Sequence, residues 1–231
     1  MKSQSVFGRI LVVLAVAWFA FPIAAQEAAK PNSDELALAV ANAQKANLVA
    51  LTKYSWRVKS NLAKDGASMA TTLTEMRFST EGKLEATNVG GESNVEKKPG
   101  FRGRQQEKQM QDFAVYLEGV LNHSFKYIFM SKGTMVDMFD RAKIAQTESS
   151  VDVTAGGLFV KGDELFLSVD PANHLARKLT FKTTLEGDTI TGVVDFAKIE
   201  NGPNKPTHLE IQVPTKAIRI VSETYDWIEQ K

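Results

Sequence analysis

Between Leu165 and Ile220, apolar side chains recur at every second position, run after run. Leu165, Leu167 and Val169 alternate with other residues, as do Leu179, Phe181, Thr183 and Leu185. The pattern continues through Ile190, Gly192, Val194 and Phe196, then Leu209, Ile211 and Val213, then Ile218 and Ile220. Successive side chains of an extended strand point to opposite faces, so this period builds half-buried sheet and cannot build a helix stripe. Asp170-Pro-Ala-Asn-His, Glu186-Gly-Asp, a loop holding Pro203 and Pro206, and Pro214 punctuate the runs. Connections this short join antiparallel neighbours, because a parallel return needs a long crossover. The reading is a five- or six-stranded antiparallel run from beyond Lys143 to near Trp227.

The first half of the chain switches period twice. Ser33 suits a helix N-cap, with Asp34 and Glu35 where the helix dipole favours acids. Leu36, Val40, Ala43, Leu48 and Leu51 make one stripe, and Thr52 to Tyr54 ends the helix. Tyr54, Trp56 and Val58 then alternate, and Lys64-Asp-Gly turns the chain. Met69 to Ser79 returns with Thr72, Thr74, Met76 and Phe78 on one face. Thr80-Glu-Gly-Lys turns it again into Leu84 to Val89. Three strands on such turns form a meander. Gly90 to Arg104 reads as a loop carrying Lys97, Lys98, Arg102 and Arg104, either a solvated connection or a partner-binding surface. From Gln106 the period is helical, through Met110, Phe113, Leu117, Val120, Leu121 and Ile128, with Phe125 and Phe129 widening the stripe. Ser131-Lys-Gly stops it, and Thr134 is the expected N-cap of a short helix with Met135, Met138, Phe139 and Ala142. Helices and strands are segregated, so the class is α+β: a large curved antiparallel sheet, with an N-terminal helix and a helical insert at about 105–142 covering one face.

The N-terminus has a separate role. Lys2 and Arg9 precede the apolar run Ile10 to Phe21, which is short for a membrane span. Pro22 breaks the helix before the small residues Ala24 and Ala25. Residues 1–25 therefore read as an export signal cleaved after Ala25, the alternative being a retained N-terminal anchor. Residues 26–32 form a polar linker, and 33–231 a single domain. Export makes the location periplasmic or secreted, with no stable membrane anchor once the signal is cut. Without Lys2 and Arg9 the chain holds 26 Lys and Arg against 27 Asp and Glu, a formal charge of −1. That balance offers nucleic acid nothing. The absence of cysteine excludes disulfides, thiolate metal sites, a cysteine nucleophile and a lipidated N-terminal cysteine.

No catalytic constellation is legible. His123, His174 and His208 stand at no metal-ligand spacing, so no metal and no cofactor is expected. There is no Gly-x-Ser-x-Gly or Ser-x-x-Lys, and Gly100-Phe-Arg-Gly-Arg lacks the ending of a phosphate loop. Asp163 and Glu164, and Glu186 and Asp188, lie at turns, where acids serve local hydrogen bonds. Asn122-His-Ser matches a glycosylation sequon, but inside a helix. Trp56 and Trp227 either line a cavity or pack in a core and at an edge. These absences argue against an enzyme.

One stretch carries a family resemblance. Tyr54-Ser-Trp-Arg-Val follows a helix, and Leu165-Phe-Leu-Ser-Val-Asp-Pro-Ala-Asn-His-Leu-Ala-Arg-Lys-Leu-Thr-Phe is a strand, a tight turn and a basic strand. This pattern resembles the exported superfamily that includes the periplasmic lipoprotein carrier LolA, its acyl-chain-binding relatives and the stress-sensor regulator RseB. It is more similar still to uncharacterised exported bacterial proteins with a Tyr-Ser-Trp strand and a Gly-Arg-rich loop. The resemblance implies a half-barrel whose helices close an apolar cavity over the concave face, holding a lipid or lipoprotein acyl chain. On that reading Trp56, Met76, Phe78, Leu179, Phe181, Val194, Phe196, Leu209 and Ile211 line the cavity, and Met110, Phe113, Leu117 and Leu121 form its lid. The alternative for the same residues is a solid core. The alternative role is an envelope interaction or stress-sensing module that meets a protein partner through the Gly90–Arg104 loop. The resemblance brings no catalytic residues with it.

Overall fold

The computed structural model describes residues 33–79, 81, 83–94 and 100–230. The export signal and linker read at 1–32 lie outside the described residues. Helix α1 spans Ser33–Leu51 and buries Leu36, Ala37, Val40 and Ala41, a stripe at helical spacing. Strands β1 (Tyr54–Lys64), β2 (Ala67–Phe78) and β3 (Leu84–Ser93) follow. The β1–β2 turn is Asp65-Gly66, with φ of 52° and 79°. Two left-handed residues make the tight turn whose twist matches paired strands, which is why Asp-Gly stands there.

Helix α2 runs from Gly100 to Ile128, beginning before the Gln106 start that its periodicity suggests. Helix α3 (Lys132–Phe139) is capped by Ser131 rather than Thr134: the Ser131 hydroxyl accepts the Thr134 N–H at 3.1 Å. Ser131 has the extended backbone an N-cap requires, and Thr134 is already helical. Seven described strands then follow, against the five or six expected: β4 (Lys143–Gln146), β5 (Val151–Gly156), β6 (Glu164–Val169), β7 (Ala176–Leu185), β8 (Asp188–Lys198), β9 (Asn204–Val213) and β10 (Ile218–Glu229). The β7–β8 turn, Glu186-Gly187, repeats the left-handed pair at φ 52° and 87°.

All ten strands form one curved antiparallel sheet, in the order β3-β2-β1-β10-β9-β8-β7-β6-β5-β4. Every pairing but one joins sequence neighbours; the exception seats the N-terminal meander, through β1, on β10. The α+β class with an open curved sheet is thus the observed architecture. The helices treat the two halves of the sheet differently. Helices α1 and α3, with the Val120 and Tyr127 side of α2, join Val153, Leu167, Leu179, Phe181, Ile190 and Ile211 in one buried core. On β1, β2 and β3, only Trp56 is fully buried.

One amide ties α1 to the sheet. Asn47 Nδ2 donates to the Asn204 carbonyl at 2.8 Å, and the Asn204 N–H donates to Asn47 Oδ1 at 2.6 Å. The buried Asn204 side chain in turn donates to the Ala176 carbonyl. Asn47 thus pairs with the start of β9 as a neighbouring strand would. Replacing it with Ala orphans both Asn204 groups, and should lower the unfolding free energy by about 1–3 kcal/mol in urea titrations. Stability within 0.3 kcal/mol of wild type would contradict that role.

Candidate functional site

The strand period places Trp56, Val58, Ser60 and Leu62 of β1 on one face, opposite Met76, Thr74, Thr72 and Ala70 of β2. On the other side of β1, Val58 faces Thr224 of β10, Ser60 faces Ser222 and Leu62 faces Ile220. Apart from Ala70, these residues form the floor of an apolar groove of about 380 Å³, roofed by Leu117, Leu121, Phe125 and Ile128 of α2 and by Phe129 just after it. Leu84 and Ala86 of β3 line one side, and Val194, Pro206, His208 and Leu209 the other. From Trp56 to Leu62 the strand rises roughly 20 Å, which sets the length of the floor. Ligand pockets commonly enclose ~300–1,000 Å³, so the groove falls within that range.

Three hydroxyls of the wall are already paired. The Ser60 and Ser222 hydroxyls hydrogen-bond each other at 2.8 Å. The Thr224 hydroxyl donates to the Pro206 carbonyl at 2.6 Å and accepts the Trp227 indole N–H at 3.1 Å. The surface so formed is largely hydrocarbon, with Thr72, Thr74 and His208 as its further polar residues, and it suits an apolar guest that asks for few hydrogen bonds. Trp227 reaches this face through an extra residue in β10: Ser55 pairs with Ile228, but Arg57 pairs with Tyr225. Asp226 takes up the bulge at φ 50°. The bulge re-aims the next side chain, and Trp227 stacks on Trp56 with centroids 4.4 Å apart and planes 4° apart.

Two polar anchors hold the roof. The Tyr116 hydroxyl donates to Asp188 Oδ2 at 2.9 Å, Thr215 donates to Oδ1 at 2.7 Å, and Lys216 Nζ lies 3.2 Å from Oδ2. Burial, then the Asp188 carboxylate, pushes the Tyr116 phenol above its ordinary pKa, so it stays a donor. The second anchor is buried. Tyr127 Oη lies 2.7 Å from Asp163 Oδ2 and 2.8 Å from Thr183 Oγ1. A phenol has one proton, and the carboxylate takes it, so the Thr183 hydroxyl donates to Tyr127 and receives the His123 Nε2–H at 3.0 Å. Burial lowers the His123 pKa, with Lys126 adding to the effect and Asp163 opposing it. This chain joins α2 to β7 and to the loop before β6.

Of the residues expected to line a cavity, Trp56, Met76, Leu117, Leu121, Val194 and Leu209 meet in the groove. Phe78 touches it through Trp56, with ring centroids 5.7 Å apart. Leu179, Phe181 and Ile211 are buried in the solid core, and Phe113 and Phe196 pack against that core. Met110 is half-buried one turn before Phe113. The expected residues thus divide between the groove and the core on different parts of one face. The residues expected from the sequence do not include Val58, Ser60, Leu62, Phe125, Ile128 and Phe129 of the groove, although the alternation of β1 and the stripe of α2 both include members of this set. The loop read at Gly90–Arg104 shrinks from both ends, since β3 extends to Ser93 and α2 starts at Gly100. One of the glycines in that stretch, Gly91, serves close packing. A Cβ on Gly91 would lie 2.4 Å from the Thr71 carbonyl oxygen of the paired strand. Arg102 and Arg104 are exposed near the start of α2, while Lys97 and Lys98 lie outside the described residues.

Among the described residues, no three His, Asp or Glu side chains gather as a metal site. No described helix is long and apolar enough to cross a membrane. No family model and no curated protein matches the sequence. Three solved structures are similar in fold. A DUF1329 family protein from Desulfovibrio piger is 8% identical, with 85% of this chain and 93% of that one covered, at a TM-score of 0.42. A LolA superfamily protein from Nitrosomonas europaea is 10% identical, with 81% and 93% covered, at 0.36. A Vibrio parahaemolyticus domain described under outer membrane lipoprotein sorting is 10% identical, with 86% and 94% covered, at 0.46. One of the three is described as a LolA superfamily protein, the superfamily that the sequence resembles.

Proposed function

We propose that this chain is an exported, non-catalytic protein that binds the hydrocarbon part of an amphiphile, a lipid or a lipoprotein acyl chain, in the groove beneath α2. The observation that carries the reading is the groove itself. It is about 380 Å³ of space walled mainly by apolar side chains, with the Ser60, Ser222 and Thr224 hydroxyls paired within the protein. Burial of hydrocarbon supplies the affinity at about 0.8 kcal/mol per methylene. Each added methylene then tightens binding roughly fourfold, until the floor is filled.

Val58 sits midway along the floor, between Thr74 and Thr224. A Val58→Trp substitution fills the groove there without touching the core beneath α1 and α3. In titrations with straight-chain alcohols of increasing length, wild type should show the stepwise gain, and Val58→Trp should bind the long members at least about tenfold more weakly. Native mass spectrometry of protein recovered from an exported fraction should find a bound lipid. Affinity independent of chain length, or unaffected by Val58→Trp, would sink the reading.

A further inference from the structure

The groove has two ends, and they differ in chemistry. At the Trp56 end, Trp227 stacks on Trp56, and Lys205 Nζ lies 5.4 Å from the centroid of the Trp227 ring. Lys205 is half-buried at the start of β9, next to the groove residue Pro206. Among the described residues, no carboxylate pairs with it, although other cations of the sheet have partners: Arg177 with Asp170, Lys216 with Asp188 and Arg219 with Glu210. Burial lowers the Lys205 pKa, the mark of a cation that has lost water without gaining an anion. At the Leu62 end, Lys64 Nζ lies 5.3 Å from the ring of Phe113. Lys205, Trp227, Lys64 and Phe113 all stand just outside the groove wall, whose own titratable residue is His208, with Nδ1 3.5 Å from Glu223 Oε1.

Resting on the amphiphile reading above, we infer that the ligand is anionic, and that Lys205 beside Trp227 receives its charged head while the chain runs along β1 toward Leu62. Trp56 in the wall, with Trp227 stacked on it, supplies a flat apolar surface at the mouth of the groove, the place where an amphiphile turns from polar to apolar. The ammonium supplies a point charge that fits either a carboxylate or a phosphate. A cation already partly stripped of water gains more from an incoming anion than a fully hydrated one does. Lys64, on the far side of the floor, meets the tail end.

The test keeps chain length fixed and varies the head. Dodecyl phosphate, dodecanoate and dodecanol are titrated into wild type, Lys205→Met and Lys64→Met, with Trp fluorescence as the readout. Wild type should bind the two anions about tenfold more tightly than dodecanol, the scale of one charge-assisted contact. Lys205→Met should lose that preference while binding dodecanol as wild type does, and Lys64→Met should retain it. A preference for only one of the anions assigns the head as phosphate or carboxylate. The inference fails if Lys205→Met keeps the preference, if Lys64→Met loses it, or if wild type binds dodecanol as tightly as the anions. Failure to bind any of the three overturns the groove reading as well, whereas binding of dodecanol without head preference overturns only the assignment of Lys205.

Discussion

Asp163→Ala is expected to lower the unfolding free energy by about 3–5 kcal/mol, the cost of breaking a buried charge network. Asp163 is 3% exposed. Its Oδ1 accepts the Leu158 N–H at 2.9 Å, and its Oδ2 accepts Phe159 N–H at 2.9 Å, Val160 N–H at 3.2 Å and the Tyr127 hydroxyl at 2.7 Å. Removing the carboxylate leaves these donors without their acceptor. It also cuts the chain that fastens α2 to β7, so the roof of the groove should loosen. Urea unfolding at pH 7 measures the first effect. Faster amide exchange around Tyr127 reports the second, and unchanged exchange there would refute the fastening role.

The same carboxylate sets a pH dependence. Burial alone would raise the Asp163 pKa, but the three backbone amides and the Tyr127 hydroxyl together hold it below the ordinary 3.8. A depressed carboxylate contributes stability that is fully present above its unfolded pKa and is lost as pH falls through the folded one. Wild type should therefore lose this contribution below about pH 4. Asp163→Asn, which cannot titrate, should show a shallower loss between pH 4 and 2. Parallel curves for the two proteins would count against the assignment.

Gly192→Ala should cost about 3 kcal/mol, near the upper end for overpacking. In register, Gly192 faces Phe181, and the Phe181 ring lies over the glycine. A methyl there would stand 2.1 Å from Cζ and 2.2 Å from Cε1 of that ring. The ring has little room to yield, since Tyr127 stacks on it at 4.8 Å and 9°. For a domain of this size such a loss lowers Tm by roughly 6–12 °C. A double-mutant cycle isolates the cause: with Phe181→Leu already present, the alanine should cost much less. An equal cost in both backgrounds would place the effect elsewhere.

Neither residue stood out in the sequence. Gly192 continued an apolar alternation, and its lack of a side chain gave no sign that an aromatic ring from β7 would occupy the space. Asp163 read as a turn acid serving local hydrogen bonds, which it is through Leu158, Phe159 and Val160. Its long-range partner, Tyr127, lies 36 positions away in a helix, beyond any local pattern. His123 carries no signal in the sequence beyond its lack of a metal-ligand spacing, yet it is buried against Thr183. Trp227 was misleading for another reason. Simple alternation from Thr224 would turn it away from Trp56, and only the bulge at Asp226 brings the two indoles together.

The hairpins were legible because Asp65-Gly66 and Glu186-Gly187 impose their geometry through two residues' own backbone preferences. Alternation likewise determined which residues share a face of each strand, and hence the α+β class with its antiparallel sheet. It could not divide that face into core and groove. Leu179 and Leu209 carry the same pattern, yet one is sealed in the core and the other borders open space. That division follows from where α1, α2 and α3 settle and from the pairing of β1 with β10 across most of the chain. Both are contacts between distant segments, whose free energy comes from surfaces that meet only once the chain has folded.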